Sequence, residues 1–328
     1  MPGGAMSETV DTSVTKFGAR SKALEVIEGH NLGGREAIVT GGASGIGVET
    51  VRALALAGAR VIIATRDAVK GEAVAAILRR ETANEQIEFR SLDLMSLQSV
   101  KSFVADFLSS GRELHLLINN AGIMAAPLAY TDAGLESQFG TNHMGHFFLT
   151  IGLLPALKAA GKSRVVSLSS LGHRRSEVHF DDINFRNRPY DPWLAYGQSK
   201  TANILFAVGM TQRFVSDGIN VNAVHPGGIM TGLQKYVPHE EQMKMGWIDE
   251  AGTPNPGMKT TEQGAATSIW AAVAAELDHV SGKYLEDCTI AQPWSEDRPL
   301  SRVKVYALDP INAERLWSVS EQVVAAIR

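Results

Sequence analysis

The chain has 328 residues, 45% of them hydrophobic and 20% charged, enough apolar material for a large core without disulfide staples. Its single cysteine, Cys288, excludes an intramolecular disulfide and fits a reducing, cytoplasmic compartment. A net charge of −4 argues against a nucleic-acid partner, and no stretch reaches the roughly 18 uncharged apolar residues of a membrane span.

Residues 1–16 carry acidic side chains and no apolar run, so they read as a flexible tail and not as a secretory signal or transit peptide. Residues 17–328 read as one domain. Within 17–34, Ala23, Leu24, Val26 and Ile27 can line one face of a short helix, or belong to a lead-in that lies on the surface. Strands are expected at 36–40, 60–65, 87–92, 114–119, 163–168, 220–225 and near 283–285. Most carry consecutive apolar residues instead of strict alternation, the pattern of strands buried on both faces. Helix-period stretches at 45–57, 70–81, 97–109, 135–160, 196–215 and 262–275 lie between them. A last helix is expected over 310–327, with Asp309 as N-cap and Pro310 at its first position. This alternation predicts an α/β fold: a Rossmann-type doubly wound parallel sheet of seven strands, order 3-2-1-4-5-6-7, with helices on both faces. The segment 232–261 has no clean period. A loop that long in a compact domain is usually a lid, and a substrate lid is expected over about 228–262.

Thr40-Gly41-Gly42-Ala43-Ser44-Gly45-Ile46-Gly47 follows the first strand and opens a helix. Glycines there permit a tight turn and let the backbone approach a pyrophosphate, which the helix N-terminus then attracts. Gly41, Ala43, Ser44, Gly45, Ile46 and Gly47 are therefore candidate cofactor contacts. At the end of the second strand, where an NAD enzyme places a carboxylate, stand Thr65 and Arg66. A guanidinium there can pair with a 2′-phosphate, so NADP(H) is the expected cofactor. Asp67, one residue on, keeps NAD(H) open, and Arg66 could instead be a solvated surface arginine.

Tyr196-Gly197-Gln198-Ser199-Lys200 opens another helix and puts a phenol and an ammonium on one face, four residues apart. The ammonium is expected to lower the phenol pKa from its ordinary value near 10, so that Tyr196 works as a general acid or base. Lys200 can also bond the nicotinamide ribose. Ser169-Ser170 ends the fifth strand, where a hydroxyl can bond a substrate oxygen and stabilise developing charge.

Taken together, the Gly-x-x-x-Gly-x-Gly turn, Asn119-Asn120-Ala121-Gly122, Tyr196-x-x-x-Lys200 and Pro226-Gly227 resemble the short-chain dehydrogenase/reductase family over about residues 35–290. The resemblance implies further roles. Asp93 and Leu94 would lie beside the adenine. Asn119 would steady the sheet, while Asn120, Ala121 and Gly122 line the cofactor cleft. Asn142 would hold a water in a proton relay to Lys200. Ser170 would be the catalytic serine, with Ser169 as fallback. Pro226, Gly227, Ile229 and Thr231 would sit over the nicotinamide. Ser170 and Tyr196 are 26 residues apart, with His173-Arg174-Arg175 and Asp181-Asp182-Ile183-Asn184 between them. That spacing, Asn-Asn-Ala-Gly-Ile-Met at 119–124 and Leu-Trp-x-x-Ser-Glu at 316–321 resemble one branch of the family. It holds the retinol dehydrogenases, the WW-domain-containing oxidoreductase and the chloroplast inner-envelope dehydrogenase. It implies an enzyme acting on a lipophilic alcohol or carbonyl compound. A bacterial-type or plastid-type ketone reductase is equally open.

Other signals read as structural. His143 and His146 have metal-like spacing without an acidic or cysteine companion, so no metal site is expected. His173 and His179 flank the site, and Arg174-Arg175 reads as a solvated corner. Trp193, Trp247, Met230, Met243 and Met245 suit either an adaptable apolar wall or plain core packing. No Gly-x-Ser-x-Gly elbow supports a hydrolase. The rival to an enzyme is an NADPH-binding redox sensor or scaffold. The resemblance also allows a homodimer or homotetramer paired through the helices near 135–160 and 196–215.

Overall fold

The computed structural model describes residues 15–326, so all but the last two positions of the expected tail lie outside the described residues. The strands are β1 (Glu36–Thr40), β2 (Arg60–Thr65), β3 (Ile87–Ser91), β4 (Leu116–Asn119), β5 (Ser163–Leu168), β6 (Ile219–His225), β7 (Tyr284–Glu286) and β8 (Thr289–Ile290). They form one sheet in the order β3-β2-β1-β4-β5-β6-β7-β8. Every pair is parallel except β7 and β8.

The expected seven-strand count is therefore corrected to eight. Asp287 and Cys288 adopt left-handed backbone conformations (φ 51° and 56°) and reverse the chain in two residues. That is a hairpin geometry usually supplied by Asn-Gly or Asp-Gly, so the sequence carries no turn signal. The returning strand has two residues, too few to show a period.

Alternation within each strand sends side chains to opposite layers. Ile38, Ile62, Leu117 and Val165 face α4 (Leu97–Ser109), α6 (Gly145–Gly152), α8 (Pro192–Phe214) and α11 (Pro310–Ala326). Val39, Ile63, Ile118 and Val166 face α1 (Ala23–Ile27), α2 (Ile46–Leu56), α3 (Ala68–Thr82) and α10 (Thr261–Val273). Both faces are thus covered, as the unbroken apolar runs imply. The lead-in is a helix with a buried face: Ala23, Val26 and Ile27 are buried and Leu24 is exposed.

The stretch 135–160 is not one helix. Glu136 caps a short turn, α5 (Ser137–Phe139), by accepting from the Gln138 and Phe139 amides. A wider π-turn, Gly140–Met144, follows, then α6 and α7 (Leu154–Ala159), which carries a proline in its first turn. The extra residue of a π-turn rotates the helix face, and such turns recur at functional sites. Helix α8 starts four residues before Tyr196, because Asp191 caps it through the Trp193 and Leu194 amides and Pro192 takes the first position. The expected N-cap at Asp309 is present, and Ser96 caps α4.

Helix α11 is held by Trp317, which is buried, stacks parallel to Phe206 with ring centres 6.4 Å apart and meets Phe147 edge-on at 5.0 Å. Its ring also lies against Gly209 and beneath the Arg213 guanidinium. Trp317→Ala leaves a large cavity there and is expected to cost about 3–5 kcal/mol, read as a lower urea midpoint. A loss below about 1 kcal/mol would show that α11 is not anchored by this residue.

Candidate active site

The C-terminal ends of β1, β2, β4, β5 and β6 open onto a cleft of about 960 Å³. That is where ligands bind in open α/β sheets. The glycine turn forms its floor. A Cβ on Gly47 would lie 2.4 Å from the Gly41 carbonyl oxygen, so the strand-to-helix approach requires glycine. Gly45 has φ 53° and stands against Thr231, which joins the turn to the lid. No side chain caps the first turn of α2. The Gly47 amide donates to the Ser44 carbonyl at 3.1 Å, which leaves the amides of Gly45 and Ile46 to meet a phosphate.

Of the residues expected to hold a cofactor, Gly41, Ser44, Gly45, Ile46, Thr65, Arg66, Asp93, Leu94, Asn120, Ala121, Gly122, Tyr196, Lys200, Pro226, Gly227, Ile229 and Thr231 all line this cleft. Two do not. The Ala43 methyl is buried in the sheet core, and Gly47 lies behind the turn it permits. Asp67 does not line the cleft either. Its carboxylate caps α3 by accepting from the Lys70 amide at 3.0 Å. Lys70, one helical turn after Arg66, does line it, and sequence reasoning missed it. Its exposed place on the first turn of α3 was the available signal.

A buried polar network shapes the cleft's inner wall. The Thr40 hydroxyl accepts from the Asn120 and Ala121 amides at 2.9 Å and lies 2.8 Å from His146 Nε2. His146 Nδ1 lies 2.9 Å from the Asn142 carbonyl oxygen. Burial pulls the His146 pKa down to about 4, so the ring is neutral. Nδ1–H then donates to Asn142, and Nε2 accepts from Thr40. The Asn142 amide group exchanges two 2.9 Å bonds with the Ile123 backbone, and its Nδ2 also donates to Ser199 Oγ. Asn119 points away, donating to Thr150 at 3.0 Å, which is a structural role. His143 is packed among Phe139, Phe147 and Phe206 and bonds Ser320. Among the described residues no group of His, Cys, Asp or Glu could hold a metal.

Tyr196, Lys200 and Ser170 converge in the cleft, and Asn142 stands behind them. A Cβ on Gly122 would meet Asn142 Oδ1 at 3.1 Å and Lys200 Nζ at 3.5 Å, which places these two groups around one narrow space. Ser170 Oγ accepts from the Gly172 amide at 3.0 Å and lines the cleft with Tyr196. Ser169 is occupied elsewhere, donating to the Lys200 carbonyl oxygen at 2.8 Å. Lys200 Nζ donates to the Leu168 carbonyl oxygen at 3.0 Å and lies 5.6 Å from the Tyr196 ring centre. The expected lowering of the phenol is not what this geometry gives. Burial pushes Tyr196 up to about 12, against the Ser170 hydrogen bond, and pulls Lys200 down to about 8. The ammonium is aimed at the Leu168 carbonyl and is itself desolvated, so the dry surroundings outweigh it.

The substrate side is walled by Trp193, Trp247 and Met245, whereas Met230 and Met243 fall outside the lining. The lid contains a short helix, α9 (His239–Lys244), and its base is fixed by the Lys259 amide donating to the Gly228 carbonyl at 2.9 Å. His173 is fully buried. Its Nδ1 donates to the Ser170 carbonyl at 2.7 Å and its Nε2 accepts from the Lys304 amide at 3.2 Å, so it braces the serine loop. The expected solvated corner is corrected for Arg174, which is half-buried at the cleft because His173 turns the chain inward there; Arg175 is exposed, as expected, at the cleft's edge.

Comparisons with known proteins agree with this architecture. A probable oxidoreductase of Streptomyces antibioticus is 44% identical over 301 residues, covering 90% of this chain and 99% of that one. Retinol dehydrogenase 12 of Mus musculus is 40% identical over 308 residues, covering 94% and 91%. Among solved structures, an uncharacterized protein from Mycobacterium paratuberculosis superposes with a TM-score of 0.69 at 35% identity, covering 91% of this chain and 96% of that one. The RhlG/NADP active-site complex of Pseudomonas aeruginosa gives 0.60 at 26%, covering 78% and 95%. The short chain dehydrogenase family model matches residues 35–242. On this match and these relatives the chain belongs to the short-chain dehydrogenase/reductase family, in its retinol dehydrogenase-like branch, and is an oxidoreductase acting on CH–OH or C=O groups.

Proposed function

We propose that this enzyme reduces a lipophilic ketone or aldehyde with NADPH, or runs the reverse oxidation, with Tyr196 as the proton-transfer group. The observation that carries the reading is the convergence of Tyr196, Ser170 and Lys200 at the sheet's C-terminal edge, beside an uncapped helix N-terminus behind a glycine turn. When bound, a nicotinamide dinucleotide supplies the hydride. Its phosphates would lie on the amides of Gly45 and Ile46, and its 2′-phosphate on Arg66 and Lys70. Asp67 is committed to capping α3, which supports NADP(H) over NAD(H).

The chain's own groups handle the proton. With its pKa held up by burial, the Tyr196 phenol stays protonated at neutral pH, the form that donates to a carbonyl oxygen during reduction. Ser170 O–H points at the same oxygen and stabilises the charge that develops on it. Lys200 holds its ammonium beside Tyr196, and Asn142 holds a water through which the phenol is reprotonated. Trp193, Trp247 and Met245 exclude bulk water and suit an apolar substrate.

Tyr196→Phe is expected to lower kcat roughly 10²–10⁴-fold, the usual contribution of a positioned acid, while leaving NADPH affinity by titration within about twofold. Retained turnover would remove Tyr196 from the mechanism. Arg66→Ala should raise KM for NADPH about tenfold to a hundredfold with little change for NADH. Equal effects on both cofactors would exclude a 2′-phosphate contact. Finally, kcat/KM for NADPH reports groups of the free enzyme. It is expected to be flat near neutral pH and to fall above about pH 8 as Lys200 loses its proton, and Lys200→Arg should abolish that fall. A flat profile up to pH 10 in the parent enzyme would show that the Lys200 charge is not used.

A further inference from the structure

On the substrate side the cleft lining has a one-sided charge. Its only carboxylate is Asp93, at the far end near β3. Beyond Tyr196, next to the ends of β5 and β6, the lining carries Arg174, Arg175 and Lys304. The whole chain has a net charge of −4, so this concentration of cations is local and not a general property of the surface.

None of the three has an acidic partner within ion-pair distance among the described residues. Arg174 is half-buried, and its single hydrogen bond is a long one, 3.4 Å from Nε to the Leu171 carbonyl. Burial pulls its guanidinium below the ordinary value, partly offset by Tyr284, Glu286 and Tyr306. Glu286 is itself engaged, accepting from the Arg302 amide at 2.6 Å. Arg175 lies with its guanidinium carbon 4.9 Å from the Trp193 ring centre, and Lys304 Nζ lies 3.2 Å from that of Trp294. Two other carboxylates of this region are taken, since Glu241 accepts from Trp193 Nε1 and Asp297 pairs with Arg302; Glu177 shares a separate surface pocket with Arg174 and Arg175 and makes no ion pair with them. Cation–aromatic contacts hold these charges against apolar walls without neutralising them. A half-buried guanidinium with free N–H groups in a cleft is costly unless an anion completes it.

We propose that the substrate is amphipathic: a carbonyl or alcohol carbon at Tyr196, an apolar segment along Trp193 and Trp247, and a terminal carboxylate or phosphate ester bound by Arg174, Arg175 and Lys304. This rests on the oxidoreductase reading for the position of the reacting carbon. The charge on the other end is a separate matter, and neutral lipids of the retinoid kind leave these three cations unused.

The test uses full-length enzyme holding NADP⁺, in which an aldehyde cannot be reduced. Medium-chain ω-oxo carboxylates, the corresponding ω-oxo alkyl phosphates and the ω-oxo methyl esters are titrated against tryptophan fluorescence, which Trp193, Trp247 and Trp294 make sensitive to this site. At least one anion should bind about tenfold or more tightly than the ester of equal length, with the margin shrinking as salt rises. The stronger anion identifies the group. Arg174→Gln and Lys304→Gln should each narrow that ratio. Should one variant not fold, NADP⁺ titration shows it and the other decides. An ester that binds as well as both anions, or a ratio unchanged in the folded variants, overturns the proposal. Turnover of the neutral ester with NADPH reports separately on the parent reading. Ester turnover without an anion preference leaves the chemistry intact and removes only the charged end.

Discussion

The cleft depends on one hydroxyl. Thr40 ends the central strand where β1 and β4 diverge, and its oxygen joins the two strands to the helix behind them. It accepts two amides from the Asn120-Ala121 turn and donates to His146, which in turn fixes the Asn142 carbonyl. Every member of that chain is partnered, so a polar network is tolerated in the core at a place where an unmade bond would cost about 1–3 kcal/mol. It also requires the imidazole to be neutral and in one tautomer, and burial ensures the first of these. A metal ligand at His146 would need the nitrogen that Thr40 already uses.

The same dryness governs the site's electrostatics. In water a phenol and an ammonium one helical turn apart would move toward an ion pair. Here both are desolvated and move the other way, the tyrosine up and the lysine down. Each shift favours the uncharged form of its group. Ser170 Oγ lines the cleft beside the phenol, while Ser169, one residue earlier, is committed to the helix backbone. Of two adjacent serines after β5, Ser170 turns its hydroxyl to the cleft and Ser169 turns its own to the helix.

Much of this was legible in the sequence because it rests on local physics. Apolar runs gave the parallel strands, capping residues gave the ends of α4 and α11, and glycine spacing gave the phosphate turn. The features that were not legible depend on long-range contact. Ala43 sits in a glycine motif, yet its methyl faces the core. Asp67 could serve a ribose or a helix, and only the helix geometry shows that it caps. The π-turn at Gly140–Met144 leaves no trace in a helix-period pattern, since one inserted residue merely shifts the apolar phase. Arg174 and Arg175 read as a solvated corner, which holds for the exposed Arg175, while the folded His173 brace turns Arg174 toward the cleft.

Segment 228–262, the expected lid, shows how remote segments shape one wall of the cleft. Its near end is set by Thr231 against Gly45, and its far end by Lys259, which pairs with Asp287 of the β7–β8 turn and covers Gly227. The lead-in adds a third tether: the Arg20 guanidinium donates to the carbonyls of Gly257 and Met258, and Lys22 pairs with Glu262. Each tether is worth little alone, because exposed pairs contribute about 0–1 kcal/mol. Their placement matters more than their strength. They anchor both ends of the segment, and Glu241 of α9 between them accepts from Trp193 Nε1, which ties α9 to α8 beside the wall that carries Met245 and Trp247. The β7–β8 turn, absent from the expected seven-strand sheet, is therefore also part of what holds the substrate wall in place.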